Sequence, residues 1–207
     1  MRVFTVSGSQ VDAGDSLPER WPERGYVWIA CSRSAFETEL PSIQALLERL
    51  TGQSLVDLHV SDLLNAQLPS HFDYSTHYDL MVFRRLAQRE AGSAVTADSP
   101  RSKRPGPPVL QRIDTSPVGF AVFDRLLLSV HPADCSVREA YAARLLAAAH
   151  PGEGGPDVRS TGARGIPHNP ADMMLRIVSH MVDGYLDLRR ELSRQLDHWQ
   201  AELLNPR

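Results

Sequence analysis

Lysine is almost missing from this chain. Lys103 is the only one among 22 basic residues, so arginine carries nearly all of the positive charge. Set against 25 acidic residues, the formal charge is −3, which gives no broad basic field of the kind that holds nucleic acid, and no nucleic-acid partner is expected. Cysteine is nearly as scarce. Cys31 and Cys135 lie far apart inside apolar stretches, which excludes a disulfide framework and a CxxC zinc motif and reads as two buried free thiols. Long apolar runs are absent as well: no window approaches the ~18 consecutive apolar residues of a membrane helix. Met1 to Gln10 lacks the apolar core of a secretory signal. The chain as given is therefore expected to be soluble. Also missing are a G-x-S-x-G elbow, a P-loop, a G-x-G-x-x-G after a strand and an H-E-x-x-H helix, so the common hydrolase, nucleotide and zinc-protease signatures fail and no enzyme is expected.

What is present suffices for one domain. With 207 residues, 42% of them hydrophobic, the chain can bury a core without a staple. Val3 to Val6 and Tyr26 to Cys31 read as strands, separated by a Gly/Asp/Pro-rich stretch over 8–25. Ser34 with Glu37 fits a capping box, Pro41 a first helical turn, and Ile43, Leu46, Leu47 and Leu50 recur at helical spacing until Gly52, predicting a helix over 41–50. Ser61 and Asp62 open a short helical turn, where Asp62 serves as an acid favoured at a helix N-terminus. Tyr78 to Leu86 follows as a strand. A Ser/Pro/Gly/Arg-rich loop over 87–117 precedes a hairpin of Val118–Phe123 and Leu126–His131, and Ser136 caps an alanine-rich helix to about Ala149. A second loop covers 150–169. Asn169 caps and Pro170 starts a final helix of up to 35 residues, in which Val178, Met181, Tyr185, Leu188 and Leu192 alternate spacings of three and four as a bundle seam does.

Local chemistry is thin. His71, Asp73, His77 and Asp79 have metal-ligand side chains, but on one continuous strand they spread over ~25 Å and do not converge. His59, His131, His168 and His180 are isolated and read as surface or loop residues. Asp183, Asp187 and Glu191 line one face of the last helix, with Arg190 and Arg194 close enough to neutralise part of it.

Order and spacing say more than any single motif. Met174-Leu175-Arg176-Ile177-Val178, then Val182-Asp183-Gly184-Tyr185 and the leucine-spaced, acid-rich run to Pro206, resemble the helix that follows the sheet in the cytoplasmic domain of CorA-type divalent-cation transporters. Val27-Trp28-Ile29 resembles that family's TWI strand, Val60-Ser61-Asp62-Leu63-Leu64-Asn65 its LEDILN turn, and Tyr78 to Phe83 its YVFIVL strand. Val118 to His131 resembles the family hairpin before a helix. Ser61 and Ser179 stand where the family carries acids, and Val56-Asp57 where it carries His-Pro.

This resemblance implies an α/β fold: an α/β/α sandwich with a mixed central sheet over residues 1–168, followed by a long C-terminal helix over 169–207 that begins a stalk and stops before the membrane helices. It implies a regulatory domain of a magnesium, cobalt, nickel or zinc transporter, on the cytoplasmic side of the cell inner membrane, gating a pore in its own transmembrane region. The implied assembly is a homo-oligomer, a pentamer in the family. The implied regulatory ion is Mg2+, with Asp62 and Asp183 as candidate ligands; in the family such an ion bridges protomers between the LEDILN acid and a carboxylate on the neighbouring stalk helix, which here would lie beyond Arg207. The seam of the last helix also fits a free-standing cytosolic metal-binding or scaffolding protein that oligomerises through that helix.

Overall fold

The computed structural model describes residues 1–87, 114–133, 135–149 and 165–204. Most of the two loops expected over 87–117 and 150–169 lies outside these residues. Seven strands form one sheet in the order β2-β1-β3-β7-β6-β5-β4, with β1 Arg2–Ser7, β2 Gln10–Gly14, β3 Tyr26–Ser32, β4 His71–Tyr74, β5 Asp79–Leu86, β6 Thr115–Val122 and β7 Leu126–His131. Every neighbouring pair is antiparallel except β3 with β7. A parallel pair needs a long crossover, and here the chain between the two strands supplies α1 Arg33–Thr51 and α2 Asp57–Leu64 on one face. The other face is covered by α3 Ser136–Ala149 and α4 Pro170–Leu204. The mixed sheet between two helical layers, followed by a long C-terminal helix, is the architecture the sequence predicts.

Strand β3 shows why both faces must be covered. Successive side chains point to opposite sides: Val27, Ile29 and Cys31 enter the core under α1 and α2, while Tyr26, Trp28 and Ala30 enter the core under α3 and α4. All six are buried, so the strand is apolar throughout rather than alternating. Trp28 stacks on Phe4 at 4.6 Å between ring centroids and donates its indole N–H to Ser129 Oγ at 2.8 Å. The stretch over 8–25 conceals a strand: Gly8, in the left-handed region at φ 62, turns the chain, and β2 pairs back onto β1 from Ser7↔Gln10 to Val3↔Gly14.

The first helix begins eight residues earlier than its apolar spacing predicts. Ser32, not Ser34, is the N-cap and accepts the Ala35 N–H at 3.1 Å, so Pro41 lies inside the helix rather than in its first turn. Gly52 ends it at φ 75, returning its N–H to the Glu48 carbonyl at 2.9 Å. The short helix also starts earlier, at Asp57, which places Asp62 in its last turns. Three side chains seat α2. Gln44 holds the Leu55 backbone at both its N–H (2.7 Å) and its carbonyl (3.0 Å). The Arg33 guanidinium donates to the Leu63 carbonyl at 3.4 Å and the Pro117 carbonyl at 2.8 Å. Finally, Leu63 lies flat against Gly119 of β6, where an added Cβ would sit 2.4 Å from Leu63 Cδ2.

On the second face, Ser136 is the first helical residue of α3 rather than its cap. His131, expected at the surface, is fully buried, with Nε2 2.9 Å from Ser129 Oγ and Nδ1 3.3 Å from Cys135 Sγ. Cys31 and Cys135 are both buried free thiols. Residues 115–117, expected as loop, belong to β6. In α4, Asn169 Oδ1 accepts the Asp172 N–H at 2.8 Å, and Pro170, Met173, Ile177 and Met181 form the buried stripe. Tyr185 donates its hydroxyl to the Arg84 carbonyl at 2.6 Å. Beyond it, the side-chain bonds of α4 are internal to the helix.

Two outcomes follow. Gly119→Ala forces Leu63 aside and should lower unfolding free energy by about 1–3 kcal/mol; trimming the opposing side chain as well, in Gly119→Ala with Leu63→Val, should cost less than the two single changes added. Urea titrations of the four proteins measure both. Separately, burial, reinforced by the charges of Arg138, Arg85 and Arg33, holds the His131 imidazole at about 3 against an ordinary 6.5. Between those values the unfolded chain takes up a proton that the folded chain refuses, so stability falls as pH drops through that window, by about 1.4 kcal/mol per pH unit. The stability of His131→Leu should fall less steeply than wild type over the same range, by close to one proton. Equal slopes would show that His131 is not the group responsible.

Candidate functional site

Helix α2 and the edge strand β4 bring four titratable side chains together. His59 and Asp62, three residues apart, lie on the same side of the helix, and His71 and Asp73, two apart, share one face of the strand. They meet as two pairs: His59 Nε2 lies 3.2 Å from Asp73 Oδ2, and His71 Nε2 lies 3.6 Å from Asp62 Oδ2. This depends on a reversal that the sequence reading lacks. Residues 71–79 are not one strand, because Ser75 Oγ accepts the N–H groups of His77 (3.2 Å) and Tyr78 (3.1 Å) and turns the chain back. Tyr74 then faces Asp79 across the β4–β5 pair. His77 and Asp79 remain exposed and do not join the cluster.

The first pair is the inner one. His59, expected at the surface, is buried and lies edge-on to the Tyr78 ring at 5.4 Å between centroids. Donor counting orders the contacts around a neutral ring. The Val56 N–H donates to the Tyr78 oxygen at 3.0 Å, the Tyr78 hydroxyl donates to His59 Nδ1 at 2.7 Å, and His59 Nε2–H donates to Asp73. Asp73 also accepts the Tyr74 N–H at 2.8 Å. That backbone bond, with His59 second, holds the Asp73 carboxyl below the usual carboxylate range.

The outer pair contains the predicted metal ligand. Asp62 is not the N-terminal acid of its helix. It sits in the last turns, where the helix dipole disfavours a negative charge, and its neighbour is the His71 ring. That ring is oriented from behind: His71 Nδ1 lies 3.3 Å from the Pro69 carbonyl, which can only accept, so Nδ1 carries the hydrogen and Nε2 faces the Asp62 carboxylate. Asp183 is exposed on α4, in the layer on the opposite face of the sheet from α2. The two candidate ligands, Asp62 and Asp183, are therefore not brought together within a single chain. Asp187 and Glu191 are occupied by Arg190 at 2.9 Å and Arg194 at 3.2 Å. Among the described residues, no three His, Cys, Asp or Glu side chains converge on one point.

No family model matches the chain, and no curated sequence matches it significantly. Solved structures do. The full-length CmaX protein matches over 100% of this chain and 52% of its own, at a TM-score of 0.62 and 13% identity. The chain shares the fold of the structures it matches. The ZntB cytoplasmic domain from Vibrio parahaemolyticus matches at a TM-score of 0.53 and 15% identity over 92% of this chain and 62% of its own. The complete CorA magnesium transporter from Methanocaldococcus jannaschii gives 0.58 and 14% over 99% of this chain and 51% of its own. This chain thus spans roughly half to three fifths of the structures it resembles, and among its described residues no helix is long and apolar enough to cross a membrane.

The relay through Tyr78 yields a direct check. Tyr78→Phe strips both the Val56 N–H and His59 Nδ1 of their partner and should lower unfolding free energy by about 1–3 kcal/mol. Adding the change to a His59→Phe chain should cost less than it does in wild type, since the two act through one network. Urea denaturation of the single and double variants measures this, and full additivity would contradict the relay.

Proposed function

We propose that this chain is the cytoplasmic regulatory domain of a CorA-like divalent-cation transporter, responding to the ion on its own side of the membrane and biasing a pore carried by the rest of the protein. The single observation that best supports the reading is the match of the whole chain, long helix included, to the CorA and ZntB folds. The course of α4 agrees with it. The helix leaves the sheet after Tyr185 and continues to Leu204 with Leu186, Leu196, Leu203 and Leu204 exposed, as a stalk does when its apolar side is covered by other copies and its end joins a membrane segment. Asp62 and Asp183 on opposite faces suit an ion shared between neighbouring chains of a homo-oligomer, a pentamer in the family.

The chemistry of such a device is simple. An interface lined by acids repels itself when empty and is drawn together when a cation enters, so occupancy favours the closed arrangement by the difference in affinity between the two states. The exposed stripe of α4 also supports a second reading, a free-standing scaffold that oligomerises without metal.

Limited proteolysis of the full-length protein in its membrane, at rising divalent-cation concentration, tests the proposal. The domain should become protected as the ion is added, and Asp62→Ala and Asp183→Ala should each move the midpoint at least fivefold upward. Protection that is indifferent to cations in wild type, together with a stable metal-free oligomer of the 207-residue chain in sedimentation, would select the scaffold instead.

A further inference from the structure

We propose that Asp62 and His71 form a two-donor half-site for a borderline divalent cation, zinc, cobalt or nickel, and that the site does not select magnesium. The inference rests on the cation-responsive reading of the domain and specifies the class of ion. Its basis is the geometry around His71. The Nδ1–H is committed to the Pro69 carbonyl at 3.3 Å, so in the neutral ring the lone pair is on Nε2, which stands 3.6 Å from Asp62 Oδ2. At that separation nothing is hydrogen-bonded. Two adjacent ligands on a tetrahedral zinc ion, each ~2.0–2.1 Å from the metal, stand about 3.3 Å apart, so a small closing of the pair lets one ion bridge the two atoms.

The bond behind the ring is the outer support that metal-binding histidines use: a backbone carbonyl fixes the tautomer and aims the free nitrogen. Both side chains retain an opening to solvent, 30% of the His71 side chain and 17% of Asp62 being exposed, so an ion can enter. Asp73 is engaged by His59, leaving the remaining positions to water or to a donor from another chain.

Magnesium fits this arrangement poorly. It takes oxygen ligands in a tight octahedron and dehydrates reluctantly, and here it meets one carboxylate and an imidazole. The imidazole instead suits zinc, cobalt and nickel, which bind nitrogen with increasing strength along the divalent series.

Calorimetric titration of the 207-residue chain with Zn2+, Co2+ and Mg2+, with the visible absorption of Co2+ as a second readout, tests the site. Zinc should bind at least tenfold more tightly than magnesium. His71→Ala should weaken zinc at least tenfold, abolish the cobalt band of the site and leave magnesium within twofold, whereas His77→Ala, at an exposed turn, should change nothing. His71→Asp, which trades the nitrogen for a second carboxylate, should move the preference toward magnesium. Zinc binding that is absent, no tighter than magnesium, or unaffected by His71→Ala would overturn the half-site. If magnesium nevertheless protects the full-length protein, the regulatory reading stands without this inference. If zinc binds through His71 but no divalent cation alters protection, the half-site stands and the regulatory reading falls.

Discussion

The parallel pairing of β3 with β7 is the constraint on which the rest depends. An antiparallel neighbour can be reached by a short turn, but a parallel one requires the chain to leave the sheet, cross it and return. The crossover delivers α1 and α2 to one face and, with β7 in place, leaves α3 and α4 to cover the other. Both central strands must then be apolar on both sides, and the residues of β3 and β7 are buried nearly throughout. Polar groups trapped there are satisfied among themselves: Trp28, Ser129, His131 and Cys135 form one connected chain of contacts. The buried imidazole within it is tolerated because it stays neutral.

The position of the His and Asp pairs follows from that crossover at one remove. Helix α2 is short, and isolated helices of its length are not stable in water. Its place is set by Gln44 on α1, by the Arg33 fork, by the absence of a side chain at Gly119 and by the Tyr78 hydroxyl beneath its first turn. Gln44 and Arg33 belong to α1, Gly119 to β6, and Tyr78 stands just before β5. The outer face of α2 is consequently held against an edge strand only four residues long, β4, and the polar pairs between them do what a longer hydrogen-bonded ladder would otherwise do.

How much of this was legible in the sequence divides along a physical line. Features written locally are legible: the apolar run of β3, the Asn169-Pro170 helix start, the Gly52 helix stop and the hairpin around Asp124-Arg125. The β1–β2 hairpin was hidden because its second strand, Gln10–Gly14, buries only Val11, so alternation scarcely shows. The start of α1 was hidden because Ser32 rather than Ser34 caps it and the helix carries Pro41 inside, and that of α2 because its N-cap, Val56, offers no capping side chain. His59 and His131 looked solitary because their partners, Asp73 and Tyr78 for one and Ser129 and Cys135 for the other, become neighbours only after the chain reverses or a strand enters the sheet. Asp62 was legible as a residue of interest. His71 was noted for its ligand chemistry, but its pairing with Asp62 was not legible, since nine positions and a change from helix to strand separate them.

The hydroxyl of Tyr185 on the Arg84 carbonyl has a mechanical meaning. It fastens α4 to β5, the strand that also carries the β4 edge, and from there to Leu204 the helix extends for close to 30 Å at 1.5 Å per residue. The fastening point is a fulcrum near the middle of the helix, at the base of its far half. A tilt of about 5° at Tyr185 sweeps the far end of that half through about 2.5 Å, so a disturbance too slight to repack the sheet arrives at the tip magnified to the width of an atom.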